Sequence, residues 1–177
     1  MLKLKAIALA ALTTASRAQT LSALDKRYMG KYIDRYIFYI QKVLKTSRPG
    51  VPLPKIYFIK YDKPELCVYL TLEEYVRRTR NVRKCDNLFI SYRTFNSVTT
   101  RTLARWLKVV LRLSGVEHFS AHSFRSTSTS VAYGSGVSLK EVMNTANWSS
   151  SRTFYRFYHK EVIRDNKFAH AVLNDDN

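Results

Sequence analysis

The sequence predicts an α+β fold, mainly helical, with a small antiparallel β-sheet or hairpin near the N-terminal third. Helical periodicity dominates from residue 70 onward, and two earlier runs dense in β-branched and aromatic residues flank a turn-rich connection. No internal repeat or low-complexity linker interrupts the 177 residues, and 46% apolar or aromatic content is enough for one domain with a core.

Residues 2–15, short of Gly and Pro and rich in Ala and Leu, predict a helix, with a further helical turn near Gln19–Leu24. Leu2, Ile7, Leu9, Leu12, Leu21 and Leu24 are the expected buried positions. The same opening imitates a secretion signal, with Lys3 and Lys5 ahead of a short apolar run. Thr13 and Thr14 break that run early and the apolar pattern continues past it, which favours a core helix. "YIDRYIFYIQKVL" (32–44) and "KIYFIKY" (55–61), joined by "KTSRPGVPLP", predict a β-hairpin with a basic tip.

"LTLEEYVRRTRNVR" (70–83) predicts a helix whose acidic first turn and basic last turn suit its dipole. "NLFIS" (87–91) reads as a short buried strand or extended segment. Residues 99–115 give the clearest helix, with Leu103, Trp106, Leu107, Val110 and Leu113 on one face and Gly115 as its stop. A helix over 120–136 should end at Gly134 and Gly136, and 138–147 opens with the Ser138 and Glu141 capping box. The next helix carries Phe154, Phe157 and Val162 as packing positions, and the last residues suggest one more short helix.

Lys plus Arg number 30 against 13 Asp plus Glu, a net charge of +17. Such an excess calls for a polyanionic partner: nucleic acid first, an anionic membrane surface second. The charge is spread through a chain with twelve Tyr and nine Phe, so it belongs to a folded basic domain rather than a tail. Arg101, Arg105, Lys108 and Arg112 form a stripe opposite the apolar face of the 99–115 helix, either a solvated surface or a DNA-facing one. Cys67 and Cys85 sit in no CxxC pattern and read as reduced thiols. The four histidines (118, 122, 159 and 170) have no ligand-like spacing with Cys or carboxylates, so no metal site is expected. No stretch is long enough to span a bilayer.

Three phrases carry the functional signal: "AHSFRST" with His122 and Arg125 three residues apart, "ANWSSS" with Trp148, and "RFYHK" with Tyr158. Each alone is ordinary: a surface pair, a core Trp, a packing Tyr. In this order and at these intervals they resemble the catalytic domain of the tyrosine recombinase (phage integrase) family. Upstream, "TTASRAQTL" is similar to that family's Thr-Gly-x-Arg-x-x-Glu-Leu phrase, with Arg17 in the arginine's place, and the hairpin tip "LKTSRPG" offers Lys45 for its lysine, with Lys55 second.

The resemblance implies one catalytic domain over residues 1–164 with the family's N-terminal core-binding domain absent, and a C-terminal tail over 165–177. It implies a site-specific recombinase or integrase, from a mobile element, that cuts and rejoins DNA through a 3′-phosphotyrosyl intermediate. Tyr158 is then the nucleophile, Arg17 and Arg125 grip the nonbridging oxygens, Lys45 is the general acid, His122 exchanges the proton near the tyrosine, and Trp148 donates its indole N–H. Arg48, Arg101, Arg105 and Lys108 are the DNA-binding candidates. The partners implied are double-stranded DNA and, on it, a homotetramer, with no membrane and no cofactor; the protein is expected inside the cell, associated with DNA.

Thr20 departs from the family's acidic residue, Asn147 from its Gly, and the interval from Trp148 to Tyr158 is one residue longer than usual, leaving Tyr155 as a competing nucleophile. The alternatives are an inactive DNA-binding remnant, a topoisomerase-like nicking enzyme, or a basic secreted or membrane-surface protein.

Overall fold

The computed structural model of the chain describes residues 1–44, 47, 49–50 and 52–159, which hold seven α-helices and one three-stranded antiparallel sheet. Helix α1 (Leu2–Thr14) runs through the middle of the core, and the segment that imitates a secretion signal is therefore its central helix. Its inward face is made of Ala6, Ile7, Ala10 and Ala11, all fully buried, whereas Leu12 is exposed and Leu2 and Leu9 are half-buried. Small side chains let neighbouring elements come close, so alanines rather than the expected leucines face inward. The hydroxyls of Thr13 and Thr14 turn back to the carbonyls of Leu9 and Ala10 at 2.8 and 2.6 Å. Helix α2 (Ala18–Ser22) follows, and Leu21 and Leu24 complete this part of the core as expected.

Strands β1 (Met29–Lys31), β2 (Arg35–Tyr39) and β3 (Lys55–Ile59) lie in the order β1-β2-β3, with Arg35 opposite Ile59 and Tyr39 opposite Lys55. Alternation sends Tyr36 and Phe38 of β2, and Ile56 and Phe58 of β3, into the core. Phe38 and Phe58 meet edge to face at 5.7 Å. The hairpin is shorter than its apolar runs suggest, and β1 is unanticipated because "MGK" has no β-branched signal of its own; pairing with β2 holds it. Lys45 and Arg48 of the hairpin tip lie outside the described residues, as do Val162, the expected last helix and the 165–177 tail.

Helix α3 (Val68–Thr79) begins two residues before its expected start, capped by the Cys67 sulfur, which accepts from Leu70 N–H. Glu73 and Glu74 consequently fall beyond its first turn, and Glu74 pairs with Arg77 and Arg78 at 2.7 and 2.5 Å instead of complementing the dipole. Past the helix end, the Arg83 guanidinium donates to the carbonyls of Asn87 (2.7 Å) and Leu88 (3.0 Å), and the Tyr75 hydroxyl accepts from Ile90 N–H at 3.0 Å. These contacts set buried Leu88, Phe89 and Ile90 as an extended segment with isolated bridges rather than as a sheet strand.

Helix α4 (Thr100–Leu113), capped by Thr99, buries Leu103 and Leu107 against α1 and α2. Leu113, expected on that face, overhangs it and is 63% exposed. Arg101, Arg105, Lys108 and Arg112 are exposed on the other side. Helices α5 (Ser123–Gly134), α6 (Leu139–Ala146) and α7 (Ser151–Phe157) complete the described fold, with Ser138 capping α6 through Glu141 N–H at 3.3 Å. They enclose a second apolar cluster, separate from the main core, in which Val142, Phe154 and Tyr158 are buried. Phe157 is 58% exposed, contrary to expectation, because Tyr158, one turn beyond Phe154, takes the inward place.

The difference between Leu103 and Leu113 is measurable. Urea unfolding of Leu103→Ala should show a loss of about 3 kcal/mol, and Leu113→Ala should stay within about 0.5 kcal/mol of the parent.

Candidate active site

Four chain segments meet at one place. The end of α1 contributes Ala15, in a left-handed conformation (φ 48°), and two residues later Arg17 at the start of α2. The first turn of α5 contributes His122 and Arg125, whose three-residue spacing puts both on one side of that helix. The end of α6 contributes Ala146, left-handed Asn147 (φ 51°) and Trp148, and the end of α7 contributes Tyr158.

Arg125 stands at the centre. It is 3% exposed and donates from its two terminal nitrogens to the main-chain carbonyls of Ala15 and Ala146, both at 2.5 Å. Those carbonyls belong to the C-terminal ends of α1 and α6, where partners are lacking and the helix dipole favours a cation. The guanidinium carbon lies 4.4 Å from the centroid of Trp148 and 5.6 Å from that of Tyr158. Burial, and then the charge of Arg17, press its pKa down while Tyr158 opposes the shift, and an arginine so placed stays protonated.

Tyr158, 6% exposed, has its ring centroid 4.5 Å from that of Trp148, and its hydroxyl is 2.5 Å from His122 Nε2. Burial foremost, then Arg125 and Arg17, hold the His122 pKa below the usual histidine value, so the ring is neutral at pH 7 and can accept the phenol proton at Nε2. Tyr155 is arranged differently: it is 49% exposed and its hydroxyl meets that of Tyr133 at 3.3 Å. That contact raises its pKa, the wrong direction for a nucleophile at neutral pH.

Among the described residues, two buried side-chain donors have no acceptor, Arg125 Nε and Trp148 Nε1, and both belong to this cluster. A buried N–H without a partner costs about 1–3 kcal/mol. Two such donors, packed on one another beside the phenol and within the field of Arg17, give the closed cluster a positive, donor-rich interior.

Five of the six expected residues are therefore placed by described segments, and four of them, His122, Arg125, Trp148 and Tyr158, are joined through contacts of Tyr158 with the other three. Arg17 acts on His122 and Arg125 through its charge. Lys45 lies outside the described residues; Lys55, the second choice, starts β3 with its ammonium 5.3 Å from the Tyr39 ring centroid.

The model of the phage integrase family matches residues 3–163. The chain belongs to this family. Among solved structures, its fold is similar to the XerH site-specific recombinase bound to palindromic difH substrate in a post-cleavage complex (TM-score 0.69, 15% identity, 97% of this chain and 45% of that one). It is similar also to XerA recombinase (0.66, 17%, 96% and 62%) and to a lambda integrase dimer bound to a COC' core site (0.62, 16%, 92% and 43%). The chain thus spans about half the length of the solved structures it matches, and at these identities the likeness is one of fold. No curated protein sequence matches it.

Within the phage integrase fold, Asn147 stands where the family phrase has Gly, and Ala15 stands at the Gly of the arginine phrase, a departure the sequence reading passed over. Both are left-handed in the structure, a conformation Asn tolerates well and Ala adopts at a cost of about 1–2 kcal/mol. Sequence reading also missed the carbonyls of Ala15 and Ala146, which carry no side-chain signal, and Ser130, whose hydroxyl donates to the Tyr158 carbonyl.

The depressed pKa of His122 has a checkable sign. Between its folded value and about 6.5 the unfolded state binds more protons, so this residue's contribution to stability is present above that window and lost as pH falls through it. Imidazole NMR should place the His122 titration below about 6.5, and Arg17→Ala should move it upward; a midpoint at or above the ordinary value would contradict the geometry.

Proposed function

We propose that the chain is a DNA strand transferase that cuts and rejoins double-stranded DNA through a covalent link to Tyr158, acting as a site-specific recombinase or integrase of a mobile element. The observation that supports it is the convergence of the Tyr158 phenol, its neutral acceptor His122, and the two unpartnered donors of Arg125 and Trp148.

The steps follow from those atoms. Tyr158 Oη gives its proton to His122 Nε2 and attacks phosphorus, forming the O–P bond as the bond to the 5′ oxygen breaks. Charge building on the nonbridging oxygens is met by Arg125 Nε, Trp148 Nε1 and Arg17 as DNA opens the cluster. The terminal nitrogens of Arg125 are committed to main-chain carbonyls, so in this reading its Nε is the donor left for phosphate once the cluster opens to DNA. Lys45, which follows β2 in sequence, supplies the proton to the departing 5′ oxygen. The product is a 3′-phosphotyrosyl ester, and attack by the 5′ hydroxyl of another strand reverses the chemistry without ATP or a cofactor.

Exposed Arg101, Arg105 and Lys108 on α4, together with Arg48, hold the phosphate backbone, with α4 the element for the major groove. Strand exchange between two duplexes calls for four active sites, hence a homotetramer on DNA, and its place is in the cell wherever that DNA lies. Residues 1–164 form the catalytic domain in this reading and 165–177 its tail. No helix among the described residues is long and apolar enough to cross a membrane.

Incubation with a nicked suicide substrate should trap a covalent protein–DNA adduct that is lost in Tyr158→Phe and retained in Tyr155→Phe. Survival of the adduct in Tyr158→Phe would falsify the nucleophile assignment, and its absence from the parent with every substrate would leave a DNA-binding remnant. The adduct rate should fall as pH drops through the His122 titration. DNA affinity of Arg105→Ala should drop at all sequences alike, with the salt slope reduced by about 1.

A further inference from the structure

We propose that Ser130 is a positioning residue for Tyr158, a latch from α5 onto the last turn of α7; the proposal rests on Tyr158 being the nucleophile. The Ser130 hydroxyl, buried, donates to the main-chain carbonyl of Tyr158. Tyr158 has left helical geometry (φ −126°, ψ −19°), and its N–H and that of His159 both return to the Phe154 carbonyl at 2.8 Å. The helix thus closes at the reactive residue, and carbonyls at a helix end lack partners within the helix. Ser130 supplies the missing donor at the nucleophile's own main chain.

Helix α7 has seven residues, too few to hold its shape alone, so its placement comes from what it packs on. Its apolar support is the small cluster around Phe154, apart from the main core. Tyr133, one turn along α5 from Ser130, braces the same helix, with its ring 5.2 Å from Phe154, 6.3 Å from Tyr155 and 5.5 Å from His159. The aromatic contacts hold α7 laterally, and the hydroxyl fixes the position of the Tyr158 backbone. The α5 helix that carries His122 and Arg125 therefore also sets where the phenol meets them, so nucleophile, acceptor and anion site share one rigid element. Misplacement of a reacting atom by about 1 Å is enough to cost about 100-fold in rate. Ser130 touches none of the reacting atoms and acts through Tyr158.

The test compares Ser130→Ala, Ser130→Thr and Tyr133→Phe in the full chain, using single-turnover adduct formation at saturating suicide DNA and amide hydrogen exchange in the free protein. Ser130→Ala is expected to slow adduct formation about tenfold, with DNA affinity unchanged, since a lost buried hydrogen bond is of that size. Exchange at Tyr158 and His159 should quicken while α1 and α4 remain protected. Ser130→Thr, which keeps the hydroxyl, should restore both readouts, and Tyr133→Phe should leave both as in the parent.

Parental adduct rate and exchange in Ser130→Ala overturn the latch, as does exchange that quickens throughout the chain or fails to recover in Ser130→Thr. If the parent forms no adduct, the strand-transfer reading fails by itself. The exchange pattern at residues 154–159 then still decides whether Ser130 holds Tyr158.

Discussion

The Arg125 guanidinium joins the carboxyl-terminal ends of two helices that are far apart in sequence. One side chain on α5 gathers α1 and α6, and with them Arg17 and Trp148, each two residues after one of the bonded carbonyls. No carboxylate pairs with it among the described residues; carbonyl dipoles and the faces of Trp148 and Tyr158 surround the charge instead. A buried cation so compensated keeps much of its attraction for an incoming anion, where a buried ion pair would have spent it. The same residue thus organises the scaffold and leaves its positive potential uncancelled.

The molecule separates stability from chemistry. Alanines of α1, the inward faces of β2 and β3, and the buried residues of α3 and α4 form one large core, while α6 and α7 enclose a small aromatic one. Arg125 lies where the two bodies of packing meet. The large core fixes Ala15 and the start of α5, so the site inherits its rigidity, while the residue assigned to attack sits on the less extensive support. Helix α4 performs a double duty of its own, burying Leu103 and Leu107 while presenting arginines and a lysine outward.

Much of this site was legible because side-chain chemistry and spacing carry it. A three-residue step between His122 and Arg125 dictates a shared side of a helix, and "ANWSSS" followed by "RFYHK" puts an indole and a phenol at the ends of adjacent helices. What escaped depends on the main chain or on context. Carbonyls have no letter in a sequence; Ser130 is one hydroxyl in the run "STSTS", and packing alone singles it out. The alanine face of α1 was hidden because hydrophobicity points to its leucines, whereas close packing selects small residues. Strand β1 owes its existence to β2, Leu113 falls beyond the surface its helix covers, and Phe157 yields its inward place to a tyrosine whose ring finds both a π neighbour and a hydrogen-bond partner.

Trp148 gives the cluster a property that a second imidazole would not. An indole N–H has a single protonation state across the whole physiological range and offers a donor but never an acceptor. Acidification cannot add a charge there, and alkali cannot strip the donor away. The indole donor is therefore constant while His122 beside the phenol titrates, which confines the cluster's response to acidity to a single ring.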